Sequence, residues 1–328
     1  MPDGKEVGRI FLKGDGLTAS FLTYGTVLQD LRLDGHAAPL VLGFESFAPY
    51  LTKSPYFGAT AGRCANRIRD GHLQIDGKSF QLDRNFLNKH ALHGGTVSMG
   101  KRCSEVRDRS ENSAIFTITL KDGEMGYPGV LKAEARFALL PGGVLNIVYT
   151  ATTDAPTVCN LAHHSYFNLD GGATILNHDL KVFADHYLPV DEELIPTGEI
   201  RPVAGTAFDF RQPAPVSRAS ATGIVDHNFC TAKERTELRE VARLRSRASR
   251  VSLTCSSTEP GLQVYDGAKI NIDHPGLAGL KMGAHAGLAL EPQIWPDAVH
   301  HAGFPSPVLR PGETYRQHTQ YTFELETS

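Results

Sequence analysis

Four stretches of the chain carry side chains able to move protons or hold polar ligands. They are GATAGRCANRIRDG at 58–71, NKHALHGG at 88–95, NLAHHSYFNL at 160–169 and GLALEPQIWPDAVHHAGFPSP at 287–307. The third raises the sharpest question, because histidines, a tyrosine and asparagines interrupt what otherwise reads as a β-strand. Successive side chains of a strand face opposite sides of the sheet. Asn160, Ala162, His164, Tyr166 and Asn168 then share one face, while Leu161, His163, Ser165, Phe167 and Leu169 share the other. The large apolar residues mark the second face as the core side. His163 is therefore expected to make a structural hydrogen bond in the core, and His164, on the face rich in hydrogen-bonding groups, is the site candidate.

In the last stretch, alternation brings Glu291 out at the end of an apolar run, and Pro292 biases it toward extended backbone. It is either a site carboxylate or a simple edge residue. His300 and His301 look like a metal pair, but neighbours in extended chain point apart, and no companion ligand stands at helical H-x-x-x-H spacing. A solvated loop without a metal is expected there. Arg63, Asn66, Arg67 and Arg69 lie between glycines and form either a charged surface turn or a polar cluster. His93, just before two glycines, lies either in an ordinary tight turn or where backbone can approach a ligand closely.

The elements that must position these groups read as strands. Short apolar-alternating stretches are punctuated by Gly, Pro, Asn and Asp at short intervals, the pattern of an all-β sandwich or barrel. In HLQIDGKSFQL at 72–82, Leu73 and Ile75 alternate before Asp76-Gly77, and Phe80 and Leu82 after it; Asp-Gly adopts the positive φ angles of a hairpin turn. Residues 115–120, with Phe116, Ile118 and Leu120 on one face, and the two runs flanking Pro141-Gly142-Gly143 read the same way. Residues 231–253 are ambiguous. Leu238, Val241 and Ala242 fit a helical stripe, whereas Leu238, Ala242 and Leu244 fit a strand. Their arginines are interleaved with Glu234, Glu237 and Glu240, so a solvated polar face is expected rather than a basic patch.

A single domain over residues 1–328 is the economical reading, since large all-β folds often exceed 200 residues. A formal net charge of −3 argues against a nucleic-acid partner. The start of the chain lacks a signal-peptide pattern, and no apolar run approaches the ~18 residues of a membrane helix. A soluble, cytoplasmic chain with no membrane partner is expected. The five cysteines are scattered and never spaced C-x-x-C, which disfavours a disulfide framework or zinc site.

Taken together and in order, SPYFGATAGRCANRI, ALHGG, NLAHHSYFNL, DEELIPTGEI with GTAFDFR, DHNFC, TEPGLQVYDG and LEPQIWPDAVHHAGFPSPVLRPGETY resemble the aldose 1-epimerase (galactose mutarotase) family nearly end to end. The resemblance implies a large antiparallel β-sandwich of the galactose mutarotase type, a free aldose such as galactose or glucose as substrate, and no cofactor. It also implies Glu291 as general base, His164 as general acid and His93 as a further site histidine near the ring oxygen of the sugar. Asn66, Arg67, Asp226 and Gln263 match the residues that hold sugar hydroxyls.

Exchange of anomers needs a proton removed from the C1 hydroxyl and one delivered to the ring oxygen. A carboxylate and an imidazolium suit these tasks, and forked or planar groups suit a neutral, hydroxyl-rich ligand. Ordinary pKa values of ~4.3 and ~6.5 confine the ion-pair form to mildly acidic pH, and opposite charges nearby are expected to widen that window. The chain departs from the family pattern at His163, usually asparagine, at Pro292, usually threonine, and at His300-His301, where an asparagine-containing pair is common. Two other readings stay open: a catalytically idle sugar-binding protein on the same scaffold, and a glycoside hydrolase using Glu291 and Asp226 as paired carboxylates.

Overall fold

A computed structural model describes residues 6–326. Its alternating apolar stretches form two large antiparallel sheets, flanked among the described residues by a three-stranded sheet and four two-stranded ones. The first has nine strands, in the spatial order Ala214–Pro215, Asp179–Val182, Arg239–Arg245, Val251–Ser257, Tyr315–Leu325, Val144–Thr153, Leu131–Leu140, Ser113–Leu120 and Glu105–Arg109. The second has six: Tyr166–Phe167, Leu288–Gln293, Gly261–Tyr265, Asp226–Cys230, His186–Tyr187 and Arg201–Pro202. Phe137, Ile147, Leu253 and Phe323 from the first sheet share one continuous core with Phe229, Leu262, Val264, Leu288 and Leu290 from the second. The molecule is thus a β-sandwich, in which the inner faces of the two sheets bury each other. Among the described residues no helix is long and apolar enough to cross a membrane.

The hairpin expected at 72–82 is formed by His72–Ile75 and Lys78–Gln81, with Asp76 at φ 51° and Gly77 at φ 75°. Residues 231–253 resolve as strand. Arg239–Arg245 pairs with Val251–Ser257, and a bulge between Glu240 and Ala242 inserts Val241 as an extra residue. Both Val241 and Ala242 are therefore buried, which is why strict alternation failed and a helical stripe fitted equally well. The expected solvated polar face is present, with Lys233, Arg235, Arg243, Arg247 and Arg250 exposed and Arg239 and Arg245 partly so. Arg235, its side chain 35% exposed, nonetheless brings its Nε 2.7 Å from the wholly buried Glu259 carboxylate and its guanidinium over the Tyr315 ring.

The stretch 160–169 is not one strand. Ala162–His164 pairs with Ala59–Ala61, and after Ser165 the chain changes partner, so that Tyr166–Phe167 pairs with Ala289 and Leu288. The two-sided alternation survives this switch. Leu161, Phe167 and Leu169 enter the core between the sheets, while Tyr166 joins a separate cluster with Phe57 and Ala289 on the other side. That other side is buried as well, because the connections between strands fold over it.

Candidate active site

Glu291 lies in the middle of Leu288–Gln293, on the face turned away from the intersheet core. Alternation puts Gln263 opposite it on the next strand and Asn228 opposite Gln263 on the one after, with Asp226 two residues along from Asn228. His164 closes the short strand Ala162–His164, and its Nε2 stands 3.5 Å from Glu291 Oε2, both residues being buried. Asp226 is held at both oxygens: Gln263 Nε2 donates to Oδ1 at 2.6 Å and Arg67 Nη2 donates to Oδ2 at 3.0 Å. Burial opposes the charge on Asp226, but Arg67 and the Gln263 amide outweigh it and hold its pKa below the ordinary carboxylate value.

Arg67 is aimed by its surroundings. The Asn66 Oδ1 accepts from the Arg67 backbone N–H at 2.9 Å, and the guanidinium lies over the Phe86 ring. The Asn66 backbone N–H donates to His93 Nδ1 at 3.1 Å. That bond leaves the proton of a neutral His93 on Nε2, making the ring a fixed donor. Burial, with His164 and Arg67 close by, pushes the His93 pKa well down, so it stays neutral. Gly94, the first of the two glycines after it, makes room for the protein's own backbone: a Cβ there would fall 2.2 Å from Gly62 O. Of the four polar residues between glycines, Arg67 and Asn66 belong to the site. Arg63 is a buried structural group donating to the Pro128 and Gly129 carbonyls, and Arg69 pairs with Asp191.

The structure brings together all seven expected residues, Asn66, Arg67, His93, His164, Asp226, Gln263 and Glu291. It also adds Tyr56, whose ring lies 4.7 Å from that of His93 and stacks at 6.0 Å on His164, with Lys101 Nζ 5.1 Å from its centroid. Nothing in the local pattern marks Tyr56, which sits at φ 66° in an irregular segment. Asn228 was accessible to sequence reasoning, since i, i+2 spacing from Asp226 within DHNFC places it on the same face.

His300 and His301 lie in the partly exposed loop expected of them, but they are not simply solvated. Both turn to the buried Asp297 carboxylate, His300 Nδ1 at 2.7 Å and His301 Nε2 at 3.5 Å. The Asp297 backbone N–H in turn donates to Arg67 O, so this loop braces the segment carrying the site arginine. Among the described residues no group of three His, Cys, Asp or Glu side chains is arranged to hold a metal ion. A groove of about 900 Å³, lined by His186, Cys230, Lys233 and Trp295 among others, opens at the far end of the Asp226–Cys230 strand. None of the seven expected site residues lines it.

A model of the aldose 1-epimerase family matches residues 9–322. The chain belongs to the aldose 1-epimerase family. Among its family relatives, a galactose mutarotase of Rattus norvegicus is 41% identical over 98% of this chain and 95% of its own length. An aldose 1-epimerase of Escherichia coli (strain K12) is 32% identical over 99% and 97%. The crystal structure of an aldose epimerase homologue from C. elegans superposes with a TM-score of 0.91 at 31% identity, covering 98% of this chain and all of that one.

Two departures from the usual epimerase pattern have structural explanations. Pro292 lies past the point where Tyr166–Phe167 stops pairing, so its missing N–H breaks no ladder on that edge. His163 points into the core, 2.7 Å from Ser165 Oγ and beside the rings of Phe137 and Tyr321. Burial pushes its pKa down to about 3. The native state therefore keeps His163 neutral while the unfolded chain binds a proton below ~6.5, so its contribution to stability is lost as pH falls from ~6.5 toward the folded value. His163→Asn is expected to flatten the acid limb of stability against pH by up to about 1.4 kcal/mol per pH unit, one proton's worth. Urea titrations between pH 4 and 6.5 check this, and an unchanged slope would contradict it.

Proposed function

We propose that this chain is an isomerase that interconverts the α and β anomers of a free aldose, galactose or glucose being the first candidates. The observation that carries the reading is the convergence of His164 Nε2 and Glu291 Oε2 at 3.5 Å beside the Arg67–Asp226–Gln263 cluster. One group of the pair takes the proton of the C1 hydroxyl while the other protonates the ring oxygen. The ring opens, the C1 carbonyl end rotates, and closure on its other face returns both protons. Arg67, Asp226, Gln263 and Asn66 are assigned to hold the hydroxyls, with the neutral His93 Nε2–H as a donor near the ring oxygen. The reaction is redox-neutral, and the reading assigns no cofactor. It takes residues 1–328 as one cytoplasmic domain with a small sugar as its partner, and with neither nucleic acid nor membrane. Both oxygens of Asp226 are engaged by fixed donors, which suits hydroxyl binding better than service as the second carboxylate of a glycosidase.

Electrostatics correct the expectation drawn from ordinary pKa values. Burial pushes Glu291 well up, reinforced by Asp226, and pushes His164 down to about 4. Between those two shifted values the pair holds one proton, on Glu291, because burial outweighs the neighbouring Arg67 charge. Neutral Glu291 with neutral His164 carries the same proton count as the ion pair, so pH cannot choose between them. Activity is lost when a second proton arrives on His164 or when the single proton leaves. The expected profile of kcat/KM is a broad bell, with an acid limb near pH 4 and an alkaline limb well above the ordinary carboxylate range. Polarimetry of freshly dissolved α-galactose and α-glucose across pH tests both claims. No acceleration of mutarotation would leave an idle sugar-binding protein, and a narrow bell between ~4.3 and ~6.5 would refute the shifted pair.

A further inference from the structure

The strand Tyr315–Leu325 runs through the middle of the nine-stranded sheet, and its inward residues Tyr315, Gln317, Thr319 and Tyr321 are all buried. Buried polar groups are costly unless bonded, so their partners indicate what these positions are for. Thr319 bonds within its own sheet, to Ser257 Oγ. The other three reach across to the opposite layer. The Tyr321 hydroxyl donates to Leu290 O at 2.7 Å, and Gln317 Nε2 donates to Pro292 O at 2.7 Å. The Tyr315 hydroxyl accepts from the Leu161 N–H at 3.0 Å and donates to Gln317 Oε1 at 3.0 Å.

Leu290 and Pro292 are the residues on either side of Glu291, and Leu161 lies three residues before His164. This edge of the Glu291 strand needs such donors. Tyr166–Phe167 pairs only with Leu288 and Ala289, and the His164 strand pairs with Ala59–Ala61 instead. The two short segments that carry the acid and the base are thus not joined to each other by a ladder where they meet. Besides the Asn160 side-chain amide, which bonds the N–H and the carbonyl of Ile294, a strand of the other sheet holds both. We infer that Tyr321, Gln317 and Tyr315 are positioning residues, which set the His164–Glu291 separation from across the core. This rests on the proton-transfer reading of that pair.

Tyr321→Phe removes one hydroxyl and no ring volume, and Gln317→Met removes the amide at similar length. Each is expected to lower kcat for galactose mutarotation ~10-fold while KM moves less than ~2-fold, because misplacing a reacting group is felt in the chemical step. In a Glu291→Gln background, Tyr321→Phe should change the residual kcat less than ~2-fold, since it acts through Glu291. Tyr50→Phe is the control. Its buried hydroxyl accepts the Phe44 N–H at 3.0 Å and bonds to neither of these segments, and its loss should lower Tm with kcat unchanged. If Tyr321→Phe and Gln317→Met also lower only Tm, or if Tyr321→Phe keeps its full effect in Glu291→Gln, the inference is overturned and the functional reading stands. An unsubstituted chain that fails to speed mutarotation overturns the functional reading, and the inference falls with it.

Discussion

Glu291→Gln is expected to lower kcat for anomer exchange ~10²-fold or more, and loss of the His164 imidazole by a similar factor, because each removes one partner of a two-proton exchange. An amide in place of the carboxyl would keep the shape of the side chain but neither accept nor release the proton. The two losses should not multiply. Both groups act on one transition state, so the double variant retains more activity than the product of the single effects predicts. The pH profile gives a second signature. Since burial keeps the shared proton on Glu291, it is the alkaline limb that disappears in Glu291→Gln, while the His164 limb stays on the acid side. His164→Asn is preferable to alanine. The ring packs between His93, Tyr56 and Tyr166, and a smaller residue would add a packing defect to the chemical one. Near-parental mutarotation by Glu291→Gln would remove the carboxylate from the reaction altogether.

Asp226→Ala is expected to damage stability as well as turnover. Its carboxylate and the Arg67 guanidinium form a pair with side chains only 11% and 9% exposed, so deleting one leaves the other buried without its partner. Breaking such a pair typically costs about 3–5 kcal/mol. The same applies to Arg67→Ala, so neither alanine variant is a clean probe of hydroxyl binding. Asp226→Asn keeps the volume and part of the hydrogen bonding, and should raise KM while lowering kcat/KM. It should also move the alkaline limb of the pH profile downward, because Asp226 contributes to the raised pKa of Glu291. Urea unfolding of Asp226→Ala, Arg67→Ala and the double variant checks the first point. The double change should cost less than the two single changes added together. Full stability of Asp226→Ala would mean that the pair is not the anchor described above.

Much of this site was legible from local pattern. Period-two alternation separated His164 from His163, because a strand sends adjacent side chains to opposite faces whatever it pairs with, and the separation survived the change of partner at Ser165. Asp76-Gly77 announced its hairpin through the positive φ that those residues tolerate. The order of the motifs announced the family. Pattern failed where one residue broke the period, as the Val241 bulge did, and where a side chain was assigned by its own polarity. Arg235 and the His300-His301 pair do lie on partly exposed segments, but their ties to the buried Glu259 and Asp297 could not be read from polarity.

Tertiary structure alone decided the charge states. The residue types supply a carboxylate, an imidazole and ordinary pKa values. The direction in which each moves depends on how much water is excluded and on which groups, such as Arg67 and Asp226 at 159 residues' separation, arrive beside them. The support for the pair was equally invisible, since the donors that flank Glu291 come from a strand that begins more than twenty residues later in the other sheet. Alternation is a property of neighbouring peptides and can be read along the chain. Desolvation and cross-layer hydrogen bonds are properties of segments that meet only when the sandwich closes.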